Sequence, residues 1–262
     1  MEITLSPRRV AFALALVAAS LVAFHVAFEV LHHVSDMTLI HDLQLRVSVD
    51  EEASIPALFS SVMLLLAAAL LAMIARAPAT ARRAWWAVLA GVFVFLAVDE
   101  SVAMHEELME LMKPRTGGSG YLYFVWVVPY GVAVASLAVL YVPFLLSLGR
   151  RIAALFVPAG GRFVLGALGF EMLGGRVSSA SGLETFAYTA LSTIEESLEM
   201  AGVVVFVYAL LVYIATELPG LNVRIRSDAI ASTARMGDVA GSIGPVPAAG
   251  GGTSPAPSLS LD

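Results

Sequence analysis

The sequence predicts an all-α membrane protein, a six-transmembrane-helix bundle followed by a disordered C-terminal tail. Three observations carry that expectation. Hydrophobic residues make up 59% of the 262-residue chain and charged residues only 14%, where soluble domains average about 45–50% and about 25%. Mean hydropathy is +0.85, more apolar surface than a water-soluble fold of this length can hide. The apolar residues also gather into stretches close to the roughly 20 residues that cross a bilayer core of about 30 Å.

Each span has its own signature. Residues 10–31 follow Arg8 and Arg9 and pass through Ala18-Ala19-Ser20, as a signal sequence would, but the apolar run continues beyond Ser20. It is therefore read as an uncleaved first span. Residues 53–75 carry no charge and form the second. The third begins over 84–98 and is expected to continue as a polar helix to about Met112. The fourth lies within 121–148. The fifth, 151–173, is weaker because Pro158, Gly160, Gly161 and Arg162 interrupt it. The sixth runs from 183 to 216, so that the third and sixth helices should both outrun the bilayer. Beyond Pro219-Gly220 the composition turns to Gly, Ser, Pro and Ala, too poor in apolar surface to fold. This divides the chain into a membrane domain, 1–221, and a tail, 222–262.

Positive charge sets the orientation. Arg8, Arg9, Arg76, Arg82, Arg83, Arg150, Arg151, Arg224 and Arg226 fall on one side of the spans, and Arg46, Lys113, Arg115 and Arg176 on the other. Both termini are thus expected in the cytoplasm. The opposite face is acidic, with Asp36, Asp42, Asp50, Glu51, Glu52, Glu107, Glu110 and Glu184. A net charge of −6 excludes nucleic acid as a partner, since phosphate binding needs a basic face. The absence of cysteine removes disulfides, thiolate metal sites and cysteine nucleophiles.

Function is sought where charge enters the apolar segments, because an ionisable side chain there is costly and rarely idle. The first span carries His25, Glu29 and His32 at i, i+4 and i+7, one helical face. The third reads Asp99-Glu100-Ser101-Val102-Ala103-Met104-His105-Glu106, with Glu107 and Glu110 where the helix leaves lipid. The sixth holds Glu195, Glu196 and Glu199 on one arc. Carboxylates this close cannot all ionise in a low dielectric, so they share protons or hold a cation between them. Glu171 sits in the fifth span, where Arg162 is either a counter-ion or the cytoplasmic start of a shortened helix.

An internal echo links two of these segments. Val98-Asp99-Glu100-Ser101-Val102-Ala103-Met104 resembles Ile194-Glu195-Glu196-Ser197-Leu198-Glu199-Met200 at an offset of 96 residues. A 3+3 inverted repeat with a site between its halves would produce such a pattern. The strings Ile55-Pro56-Ala57-Leu58-Phe59-Ser60-Ser61, Asp99-Glu100 with His105-Glu106, Gly169-Phe170-Glu171-Met172-Leu173-Gly174-Gly175 and Glu195-Glu196-Ser197-Leu198-Glu199-Met200 resemble motifs of a family of bacterial multi-pass inner-membrane proteins with no established activity. The resemblance covers roughly residues 10–215 and implies a bacterial inner membrane. It supplies no reaction.

Phosphate loops, dinucleotide turns, Gly-x-Ser-x-Gly and His-Glu-x-x-His are absent. Ser101 and Ser197 lie beside carboxylates, but a hydroxyl on a membrane helix usually bonds its own i−4 carbonyl. The expected site is a cation site of Asp99, Glu100, His105, Glu106, Glu195, Glu196 and Glu199. His25, Glu29, His32 and Glu171 would form its outer shell, with a divalent metal or protons as the cargo. Oxygen donors with an imidazole suit Mn, Fe, Zn, Mg or Ca. Three functions use such a site: transport, an intramembrane metal-dependent enzyme, or an accessory subunit that pairs with a partner's cations. A di-iron centre would take Glu-x-x-His from two helices. Glu29-Val30-Leu31-His32 has that spacing, and no second copy accompanies it.

Overall fold

The computed structural model of the protein describes residues 6–34 and 37–218. The expected tail therefore lies outside the described residues. Nine α-helices occur among the described residues: α1 Pro7–Val34, α2 Thr38–Val47, α3 Ile55–Arg76, α4 Arg83–Val102, α5 Met104–Thr116, α6 Val127–Ser147, α7 Arg150–Val164, α8 Glu171–Ser181 and α9 Phe186–Glu217. No strand is present among them. Six helices are long and apolar enough to cross a membrane: α1, α3, α4, α6, the continuous stretch Arg150–Ser181, and α9. The all-α, six-span expectation holds.

Local chemistry starts the two central helices. Ser54 Oγ accepts the Ala57 N–H at 3.1 Å and Pro56 sits in the first turn of α3, where its missing N–H costs nothing. Thr185 Oγ1 accepts the Tyr188 N–H at 3.3 Å to begin α9. The apolar windows of α3 and α9 are 56% and 50% buried, against 11–22% in the other four spans. These two helices form the core, and the rest surround them with apolar faces turned outward, as lipid-facing helices do.

The main core is aromatic at its centre. Trp86 on α4 is fully buried and meets Phe144, Phe156 and Tyr213 within 4.7–6.1 Å. Phe93 of α4 stacks on Phe206 of α9 at 4.7 Å. A second, smaller cluster of Phe124, Trp126 and Val127 packs with Met109, Leu168 and Tyr188, among the carboxylates.

Two elements depart from expectation. The third span does not continue to Met112. Ala103 adopts a left-handed conformation (φ 54°, ψ 41°) and separates α4 from α5. The break carries no Gly or Pro, and its cause is a side chain: Asp99 Oδ1 accepts the His105 N–H at 3.0 Å in the first turn of α5. The echo position, Glu195, stays inside α9. The fifth span is longer than predicted, because Pro158, Gly160 and Gly161 lie within α7 without ending it. A π turn over Leu165–Phe170 then joins α7 to α8. Gly166 in that turn passes so close to α9 that a Cβ would lie 2.8 Å from both Glu195 O and Glu199 Cγ.

Candidate functional site: an acidic cavity

One cavity of about 700 Å³ gathers most of the charge in the apolar core. All seven expected ligand residues line it: Asp99 and Glu100 from α4, His105 and Glu106 from α5, and Glu195, Glu196 and Glu199 from α9. Glu171, expected in the outer shell, lines it as well. The two echo motifs thus face a shared space. Four further acids join them, Asp50, Glu51, Glu52 and Glu184, expected only on the acidic outer face. Among the described residues the wall therefore holds eleven carboxylates and one imidazole, with neither lysine nor arginine.

One part of its wall is built around His105. The imidazole lies between two carboxylates, Nδ1 at 3.4 Å from Asp99 Oδ2 and Nε2 at 3.3 Å from Glu52 Oε1. Both neighbours are acceptors, so the doubly protonated ring satisfies both. Burial alone would lower the His105 pKa, but the hydrogen bond and charge of Asp99, with Glu52 and Glu171 behind it, hold it above the usual imidazole value. Burial pushes the Glu52 carboxyl up to about 7; His105 opposes the rise, while Glu106 and Asp99 add to it. Glu52 Oε2 is fully buried and has no hydrogen-bond partner among the described residues.

Carboxylates also orient the aromatic rings of the wall. Tyr130 donates its hydroxyl to Asp99 Oδ1 at 3.1 Å, and Trp126 Nε1 donates to Glu171 Oε1 at 3.1 Å. The two rings meet edge to face at 5.1 Å, and Trp126 also covers His105 at 4.8 Å. Elsewhere on the wall, Asp50 Oδ1 accepts from Ser192 Oγ at 2.6 Å and from the Tyr188 hydroxyl at 3.3 Å. Sequence alone does not single out these rings, because aromatic residues near the start of a span look like an interfacial belt.

The first-span face takes a different role from the one expected. His25, Glu29 and His32 do not line the cavity. His25 is buried; its Nδ1 accepts the Val49 N–H at 3.3 Å, and its Nε2 lies 3.0 Å from Thr193 Oγ1. That hydroxyl already donates to Thr189 O, so it accepts from a neutral His25 with no lone pair free for a metal. The residue fastens α1 to α9 and holds the segment that presents Asp50. Glu29 accepts from Gln44 of α2, and His32 packs on His41 at 5.0 Å. Both dock α2, a helix outside the predicted spans.

Arg162 is exposed and donates to Pro158 O at 3.1 Å, away from the cavity. Among the described residues no Lys or Arg pairs with a carboxylate, the ion pairs all being made by histidine. Ser101 and Ser197 donate to their i−4 carbonyls at 3.0 and 2.6 Å, which leaves neither poised as a nucleophile. The donor set is chemically suited to a hard cation, yet among the described residues no three His, Asp or Glu side chains converge in a metal-holding geometry.

Comparison with curated proteins and with solved structures finds no match. A family model described as a domain of unknown function (DUF8692) matches residues 7–214, a span that includes every cavity carboxylate, and the chain belongs to that family.

Proposed function

We propose that this membrane protein binds cations in the acidic cavity and carries them across the bilayer. The observation that supports this reading is the composition of the wall: eleven carboxylates and one histidine face a common space with no lysine or arginine among the described residues. Insertion scales charge about 2.5–3.5 kcal/mol for an acidic residue at the centre of a spanning helix. Several such residues on α4, α8 and α9 together approach the stability of a whole domain, about 5–15 kcal/mol. Protons or a bound cation would relieve that cost for the carboxylates that His105, Tyr130 and Trp126 do not reach, since Arg162 points elsewhere. The candidate cargoes are a divalent metal, protons and larger cations, and the carboxylates of α9 are the binding centre in each case. On this reading both termini lie in the cytoplasm of a bacterial inner membrane, with the cavity facing outward.

The test is uptake into proteoliposomes, with one dye inside for pH and another for Mn²⁺. Cation-driven signals are expected from the wild type and should fall at least tenfold in Glu196→Gln and Glu199→Gln, which keep shape while removing charge. Full uptake by the Glu195/Glu196/Glu199 triple Gln variant would show that the cavity is not the working site. Turnover of a substrate by tightly held metal, or no cation response at all, would point instead to the enzyme or the accessory subunit.

A further inference from the structure

We propose that the cargo of this cavity is an organic polycation, ammonium groups carried on a hydrocarbon chain, rather than a bare metal ion. The inference rests on the cation reading above and narrows it. Size favours the larger cargo. A divalent ion with six waters, at about 30 Å³ each, would occupy roughly a quarter of a 700 Å³ cavity, whereas pockets for small organic molecules span about 300–1,000 Å³. Geometry agrees. A metal site needs donors converging on one point, and no three acidic or histidine side chains among the described residues do so. The acids instead come from several elements, Glu52 from the segment before α3, Asp99 from α4, Glu171 from α8 and Glu196 and Glu199 from α9, an arrangement that several positive charges on one molecule would match.

The wall between the acids suits a hydrocarbon as well. Trp126 and Tyr130 present rings that carboxylates lock in place, and Leu64, Leu96 and Phe163 line the same space. A metal ion gains nothing from such a surface. Ammonium groups gain from ring faces by cation–π attraction, and a hydrocarbon chain gains from the leucines. The adjoining segment already shows this contact, with Lys113 Nζ 3.6 Å from the centre of the Tyr123 ring. Electroneutrality points the same way, because a chain with several ammonium groups offsets several carboxylates with one molecule.

Calorimetry on the full chain in nanodiscs tests this with three titrants: spermidine, Mn²⁺ and cobalt(III) hexaammine. The last matches the charge of spermidine and has no hydrocarbon. Spermidine is expected to bind at least tenfold tighter than either. Trp126→Leu should weaken it about tenfold, while Trp126→Phe restores most of the affinity. Equal binding of spermidine and the cobalt complex would overturn the proposal, since the site would be reading charge alone. Mn²⁺ binding without spermidine binding would overturn it and leave the cation reading intact. No binding by any of the three would overturn it and leave protons as the cargo for the cation reading. The comparison of titrants uses the wild-type protein, so it decides the matter even if Trp126→Leu fails to assemble.

Discussion

Glu52 and His105 share a pH dependence whose sign follows from their burial and their neighbours. Glu52 is raised from an ordinary 4.5 to about 7, and His105 is raised above 6.5. A group whose pKa is higher in the folded state stabilises the fold when protonated. For Glu52 that contribution is complete below 4.5 and is lost as pH rises through about 7. His105 loses its own contribution above 6.5, in the same direction. The thermal midpoint in nanodiscs should therefore fall between pH 4.5 and pH 8, and Glu52→Gln should flatten the lower part of that curve. A midpoint that rises across the interval would contradict the arrangement. Ala103 gives a second expectation at this scale. A left-handed alanine is strained by about 1–2 kcal/mol; Gly there should be tolerated, while Val, with its β-branch, should lower the midpoint by several degrees.

At the scale of elements, the π turn and α9 approach through glycine. A Cβ on Gly166 would meet Glu195 O and Glu199 Cγ at 2.8 Å, and one on Gly202 would meet Ala159 O and Phe163 N at 2.9 Å. The obstructing atoms are mostly backbone, so Gly166→Ala and Gly202→Ala should each cost about 1–3 kcal/mol. A methyl on Gly160 or Gly161 would meet nothing within 4 Å, and alanine at either should be neutral or favourable. Equal melting of all four variants, measured by tryptophan fluorescence, would show that the α7–α9 contact is not close-packed. The six spans were legible in the sequence because each is a long apolar run, and the α9 acid trio because charge inside such a run stands out. The α4–α5 break was not, since an alanine carries no turn signal and the Asp99 side chain that shapes it belongs to the preceding helix. The π turn was equally hidden, its register shift being set by packing against α9. Asp50, Glu51 and Glu52 read as solvated acids of the outer face; what brings Asp50 inward is His25, twenty-five residues upstream.

Among the described residues, arginine is biased toward one end of the spans and carboxylates gather at the other. Arg76 closes α3, Arg83 opens α4 and Arg150 opens α7, while the opposite ends of α3, α4 and α9 carry Glu52, Asp99, Glu100 and Glu195 into the cavity. Cytoplasmic loops gather Lys and Arg, so on the reading proposed above the arginine end lies in the cytoplasm and the cavity opens on the other face. An acidic mouth there would concentrate cations from outside before they reach α9. The chain has no cysteine, which makes this side assignment directly measurable by single introduced thiols. Glu184 lies exposed at the cavity wall and Arg150 lies exposed at the far end. Glu184→Cys should react with a membrane-impermeant maleimide in intact cells, and Arg150→Cys only after the cells are broken. Labelling in the reverse order would turn the molecule over. The acidic cavity would then face the cytoplasm, and export rather than uptake would be the direction its charge favours.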